Sequence, residues 1–211
     1  MIAEADLQRF IHDNLPVAPV PGIPEIRLHK AVPSSGLARL AADDEAFGSP
    51  YWAHYWAGGL ALARYVLDHP DSVAGSRVLD LGAGSGLVAI AAAKAGARSV
   101  LAAETDPYAI AALRLNLALN QVSAEILHAD LLTGEPPATD FVLVGDLFYA
   151  DEPATRVTAF LERCTAGGIQ ILVGDPWRAP LPVSRLTELA RYDVAEAGEH
   201  SLKASGVFAF A

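Results

Sequence analysis

Four carboxylates stand where short apolar runs of the chain end, and each has a chemical reading. In Val78-Leu79-Asp80-Leu81-Gly82-Ala83-Gly84-Ser85-Gly86 an acid precedes glycines spaced GxGxG. Glycines at a strand-to-helix turn let the backbone approach a ligand closely. The spacing differs from the GxGxxG that aims a helix N-terminus at a pyrophosphate, and Asp80 suits a cationic ligand end better than a phosphate. Glu104 closes the next run, where a carboxylate accepts hydrogen bonds from both hydroxyls of a ribose. Asp106-Pro107 behind it reads as a helix cap and first helical residue. His128-Ala129-Asp130-Leu131-Leu132 sets a third acid beside apolar side chains, fit for the amino group and ring face of an adenine; a solvated loop aspartate is an equal reading. Gly145-Asp146-Leu147-Phe148-Tyr149 delivers the fourth acid together with aromatics, a candidate reaction site.

These residues need elements to position them. Apolar runs at 77–81, 99–104, 124–129, 140–146 and 168–175 read as buried parallel strands. Helical patterns at 86–95, 107–120, 152–165 and 183–190 fall between and after them, the strand-helix alternation of βαβ units. Residues 191–197 and 207–211 read as two further strands forming a closing antiparallel pair. Ahead of the first strand, the aromatics Trp52, Tyr55 and Trp56 lead into an amphipathic helix from about Gly58, ended by His69 and Pro70. Residues 1–50 read as an N-terminal appendage. A helix at 4–14 carries Leu7, Phe10 and Ile11, and Pro16, Pro19, Pro21 and Pro24 force an extended strap with one edge strand at 25–32.

Composition narrows the function. The chain has 211 residues, 52% hydrophobic and 19% charged, which fits one globular core and excludes disorder as its main state. No apolar run approaches the roughly 18 residues that span a bilayer, and the N-terminus lacks the basic flank and apolar stretch of a signal peptide, so a soluble cytoplasmic protein is expected. Cys164 is the only cysteine, which excludes a disulfide framework or a cysteine-based metal site within one chain and reads as a small buried residue. His54 and His128 are given no ligand role. A net charge of −10 disfavours nucleic acid as a partner.

The ordered series of acid plus GxGxG, acid, and acid at three successive strand ends resembles the class I methyltransferases that use S-adenosylmethionine. Asp146-Leu147-Phe148-Tyr149 looks like the DxxY signature of a group of protein lysine methyltransferases, and Pro50-Tyr51-Trp52-Ala53-His54-Tyr55-Trp56-Ala57-Gly58-Gly59 like the aromatic segment that precedes their first strand. With Pro24-Glu25-Ile26-Arg27-Leu28 and Gly174-Asp175-Pro176 plus Arg178, the chain resembles the lysine methyltransferases of the electron transfer flavoprotein β subunit. Ala150 stands where that family has an acid, and Trp177 interrupts its GDPGR.

The resemblance implies a Rossmann-like fold: a mostly parallel seven-stranded sheet with helices on both faces and an antiparallel C-terminal strand, over residues 51–211. It also implies that Trp56, Asp80, Gly82, Gly84, Glu104 and Asp130 surround S-adenosylmethionine. Asp146 and Tyr149 would line the acceptor pocket, with Phe148 and Trp52 as further walls. The implied partner is the flavoprotein β subunit. Three other readings stay open at this point: a small-molecule amine methyltransferase, a non-catalytic binding protein of the same fold, and a nicotinamide-dinucleotide protein.

Overall fold

A computed structural model of the chain describes residues 3–43, 47–196 and 201–211. It opens with α1 (Glu4–Asn14), which buries Leu7 and Ile11 at helical spacing, and continues into β1 (Val17–Val20), β2 (Ile23–His29) and the short α2 (Leu37–Asp43). The proline-rich strap is thus a hairpin rather than a lone edge strand. Pro21 and Gly22 occupy the two central turn positions, with Gly22 at φ +74°, and β1 and β2 pair antiparallel in a sheet of their own.

A single 3₁₀ turn at Tyr51–Ala53 leads to α3 (Ala57–Asp68), and the alternating part follows. It comprises β3 (Arg77–Leu81), α4 (Leu87–Lys94), β4 (Ser99–Glu104), α5 (Pro107–Leu119), β5 (Glu125–His128), β6 (Phe141–Gly145), α6 (Asp151–Ala166) and β7 (Gln170–Asp175). β8 (Leu186–Val194) and β9 (Lys203–Phe210) end the chain. Across the main sheet the order is β5-β4-β3-β6-β7-β9-β8, all parallel except β9. This is the Rossmann-like class I arrangement expected from the sequence.

Successive residues of the central strands bury on opposite faces. Val78, Leu143 and Leu172 join α3, α4 and α5 in one core, while Leu79, Val142 and Val173 join Phe160, Leu161 and Cys164 of α6 in the other. Burial on both sides is why these strands read as unbroken apolar runs.

One element differs in type. Residues 183–190 are not a helix: a 3₁₀ turn at Val183–Arg185 passes directly into β8. A bulge between Glu188 and Ala190 pushes Leu189 outward, while Ala190 and Tyr192 pack on the core. The extra residue breaks the two-residue period of an edge strand, leaving apolar positions at helix-like spacing. The end of the expected strand at 191–197 lies outside the described residues. Among the described residues no helix is long and apolar enough to cross a membrane.

Candidate active site

Strand order reverses at β3, where the connections lead to β4 on one side and β6 on the other; open α/β sheets bind ligands at the carboxyl ends of such strands. A cleft of about 700 Å³ lies there, and all eight residues singled out from the sequence border it: Trp56, Asp80, Gly82, Gly84, Glu104, Asp130, Asp146 and Tyr149.

The glycine loop is built by left-handed backbone, with Gly82 at φ +71°, Gly84 at +53° and Gly86 at +92°. Two of these glycines serve different ends. A Cβ on Gly82 would press into Leu147, whereas a Cβ on Gly84 would meet nothing within 4 Å. Gly84 therefore presents bare backbone to open space. Its N–H donates to Glu104 Oε2 at 2.7 Å, and Glu104 Oε1 accepts from the N–H groups of Thr105 and Asp106 at 2.7 and 3.0 Å. Asp80 lies buried under the loop and accepts from the N–H of Ala89 at 2.8 Å. Burial, with some repulsion from Glu104, pushes the Asp80 carboxyl up to about 7. Asp106 caps α5 by accepting from Tyr108 N–H at 2.8 Å, as its position before Pro107 predicts.

The opposite wall is more exposed. Asp130 pairs with Arg156 and accepts from Leu132 N–H at 2.9 Å, and the Arg156 guanidinium holds its carboxyl below the usual range. Trp56 stands at the residue before α3 and donates its indole N–H to the carbonyl of Tyr51 at 2.8 Å. Tyr51 and Tyr149 flank the mouth, each 65% exposed. Trp52 borders the cleft but is buried; Phe148, expected as a wall, is fully buried among Leu79, Val142 and Phe160 on the far face of the sheet. Asp146 has φ +62°, and beyond it Phe148 points into the core while Tyr149 stands at the mouth.

Asp146 is the centre of a clamp that the sequence reading lacked. Its carboxylate accepts from the N–H groups of Gly58 and Gly59 at 3.0 and 2.5 Å and pairs with Arg178 at 2.8 Å. The same Arg178 nitrogen reaches buried Asp175 at 2.9 Å, and Asp175 also accepts from the Arg178 backbone N–H at 2.7 Å. Burial raises both carboxyls above their ordinary values while Arg178 pulls them down; burial lowers the guanidinium, but the two acids more than offset this and raise it. The approach is close because glycine faces glycine. A Cβ on Gly58 would strike the carbonyl of Gly174, one on Gly174 would strike that of Gly58, and one on Gly145 would press on Gly59. The helix N-terminus and its unpaired N–H groups thereby meet the carboxylate. One signal was readable in advance: Leu143-Val144-Gly145-Asp146 recurs as Leu172-Val173-Gly174-Asp175, and Gly145 pairs with Gly174 in adjacent strands.

Comparison with known proteins places the chain in a family. The family profile of the ribosomal protein L11 methyltransferase (PrmA) matches residues 62–146, from α3 through Asp146. A Xenopus laevis protein named electron transfer flavoprotein beta subunit lysine methyltransferase is 41% identical over 193 residues, 89% of this chain and 78% of its own. The Homo sapiens protein of the same name is 39% identical, over 83% of this chain and 68% of its own. Among solved structures, the ribosomal protein L11 methylase of Lactobacillus delbrueckii subsp. bulgaricus superposes with a TM-score of 0.51 at 21% identity, over 70% of this chain and 75% of its own, a likeness of fold.

Proposed function

The chain belongs to the family of electron transfer flavoprotein β subunit lysine methyltransferases, and on that premise we propose that it transfers methyl groups from S-adenosylmethionine to lysine side chains of such a β subunit. The observation that carries this reading is the bare backbone of Gly84 facing open cleft between two acids, Asp80 below and Glu104 beside it. A cofactor with a cationic amino-acid end and a ribose fits that donor and acceptor set. In our reading Asp80, Gly82, Gly84 and Glu104 hold it, with Asp130 and Trp56 at its margins. When bound, it supplies a methyl group on a positively charged sulfur, ready for attack by an amine.

The chain's own task is to present that amine. A lysine of ordinary pKa near 10.4 is neutral about one part in a thousand at pH 7.4, a cost of roughly 4 kcal/mol that an apolar entry lowers. Tyr149 and Tyr51 at the mouth supply that entry. Asp146 is no base for an ammonium. Its oxygens hold Gly58, Gly59 and Arg178, so it fixes the aromatic segment over the cleft, and its charge stabilises positive charge developing on the attacking nitrogen. Alignment of amine and methyl supplies up to roughly 7–11 kcal/mol of the barrier reduction. We place the reaction in the cytoplasm, where the one cysteine, buried Cys164 with its thiol pushed up to about 11 by burial, stays reduced.

The test is a competition. Labelled S-adenosylmethionine is incubated with the protein, purified electron transfer flavoprotein and a panel of small amines. Label on the flavoprotein β subunit is the expected result. Label confined to small amines would overturn the acceptor assignment.

A further inference from the structure

The glycine loop is held from behind by α5, and α5 is held by the N-terminal hairpin. Asn116 of α5 is fully buried. Its Nδ2 donates to the carbonyl oxygen of Ser85, inside the GxGxG turn, at 2.9 Å. Its Oδ1 accepts from the backbone N–H of His29 in β2 at 2.9 Å, and the His29 ring Nδ1 lies 3.0 Å from the same oxygen. The amide's orientation is dictated, because a backbone carbonyl only accepts and a backbone N–H only donates. One turn earlier, Leu113 occupies the space that a Cβ on Gly86 would fill.

One turn later, Asn120 grips the hairpin as well, and its Nδ2 also donates to the Asn116 backbone carbonyl at 2.8 Å, within the helix. Its Oδ1 accepts from Arg27 N–H at 3.0 Å and its Nδ2 donates to the Arg27 carbonyl at 2.6 Å. Arg27 and His29 are alternate residues of β2, so the two asparagines bind the outer edge of one strand as a neighbouring strand would. Only Asn116 extends that grip to the loop.

We propose that Asn116 is a positioning residue for the cofactor loop, and that the hairpin, through His29, is a working part of the cofactor site. The inference rests on the reading of the Gly82–Gly86 turn as the seat of S-adenosylmethionine. Without the Asn116 amide, the Ser85 carbonyl is left buried without its partner, and the turn relaxes away from the geometry that lets Gly84 face the ligand.

The test pairs two asparagines on one helix. Asn116→Asp keeps an acceptor for His29 but removes the donor to Ser85; Asn120→Ala loosens the hairpin without touching the loop. Calorimetric affinity for S-adenosylmethionine and steady-state constants are measured for both. Asn116→Asp is expected to raise Kd and KM for the cofactor about tenfold, with kcat at saturation changed less than about twofold, while Asn120→Ala leaves both constants within about twofold whatever stability it loses. Should Asn116→Asp not fold, His29→Ala decides, with an expected rise of about threefold in cofactor KM. A folded Asn116→Asp that binds like wild type, an Asn120→Ala that weakens binding equally, or an unchanged His29→Ala overturns the inference alone. Wild-type protein that fails to bind S-adenosylmethionine overturns the cofactor reading and the inference with it.

Discussion

At the scale of single residues the site is a set of carboxylates kept at different tasks by their surroundings. Asp80 is buried against Ala89 N–H, and its carboxyl is pushed up to about 7, above the ordinary 3.8, so its neutral form is favoured in the fold. Its contribution to stability is therefore full below the unfolded value and is lost as pH rises through about 7. Relative to Asp80→Asn, the wild type should lose thermal stability from about pH 4 to about pH 7, read from unfolding midpoints; parallel curves would contradict this placement. Asp146 works through what it holds. Asp146→Ala leaves Gly58 N–H, Gly59 N–H and Arg178 without their shared acceptor, and should cost about 2–4 kcal/mol in denaturant unfolding. It should lower single-turnover methyl transfer by about a hundredfold, with cofactor affinity changed only a few-fold. Unaltered turnover would remove Asp146 from the acceptor side.

Among the elements, the glycines separate binding from assembly. Gly84→Val places a side chain where the cleft is open, so it should abolish cofactor binding at a backbone strain cost of about 1–2 kcal/mol. Gly58→Ala puts a methyl into the Gly174 carbonyl and should displace α3, cutting stability by more than Gly84→Val does and releasing the Asp146 clamp. Comparing melting temperature and cofactor affinity for the two variants checks this; equal stability losses would contradict the clamp. The same contrast explains what could be read in advance. Strand ends such as Asp80 and Glu104 were legible because doubly buried strands are apolar throughout and their polar ends stand out. β8 was not, because its bulge at Leu189 imitates a helical period. The clamp of Gly58, Asp146 and Arg178 joins three separate segments, and no local spacing encodes it beyond the repeated Leu-Val-Gly-Asp. The bond from Asn116 to Ser85 is hidden for the same reason: an asparagine inside a helix carries no mark of a partner so far back in the chain.

For the whole molecule, the sheet brings the Gly82–Gly86 turn and the Asp146 clamp to one carboxyl edge, with Tyr51 and Tyr149 at the opening of the cleft to solvent. A net charge of −10 suits a lysine-bearing acceptor, since opposite charge speeds encounter and salt weakens it. The family assignment supports the proposed transfer to an electron transfer flavoprotein β subunit. The most direct measurement is the intact mass of both flavoprotein subunits after incubation with the protein and S-adenosylmethionine. Mass increments of one or more methyl groups on the β subunit, forming far more slowly with Asp146→Ala and lost when the acceptor lysines are replaced by arginine, are the predicted result. An unmodified β subunit, under conditions where the protein demonstrably binds S-adenosylmethionine, would contradict the account.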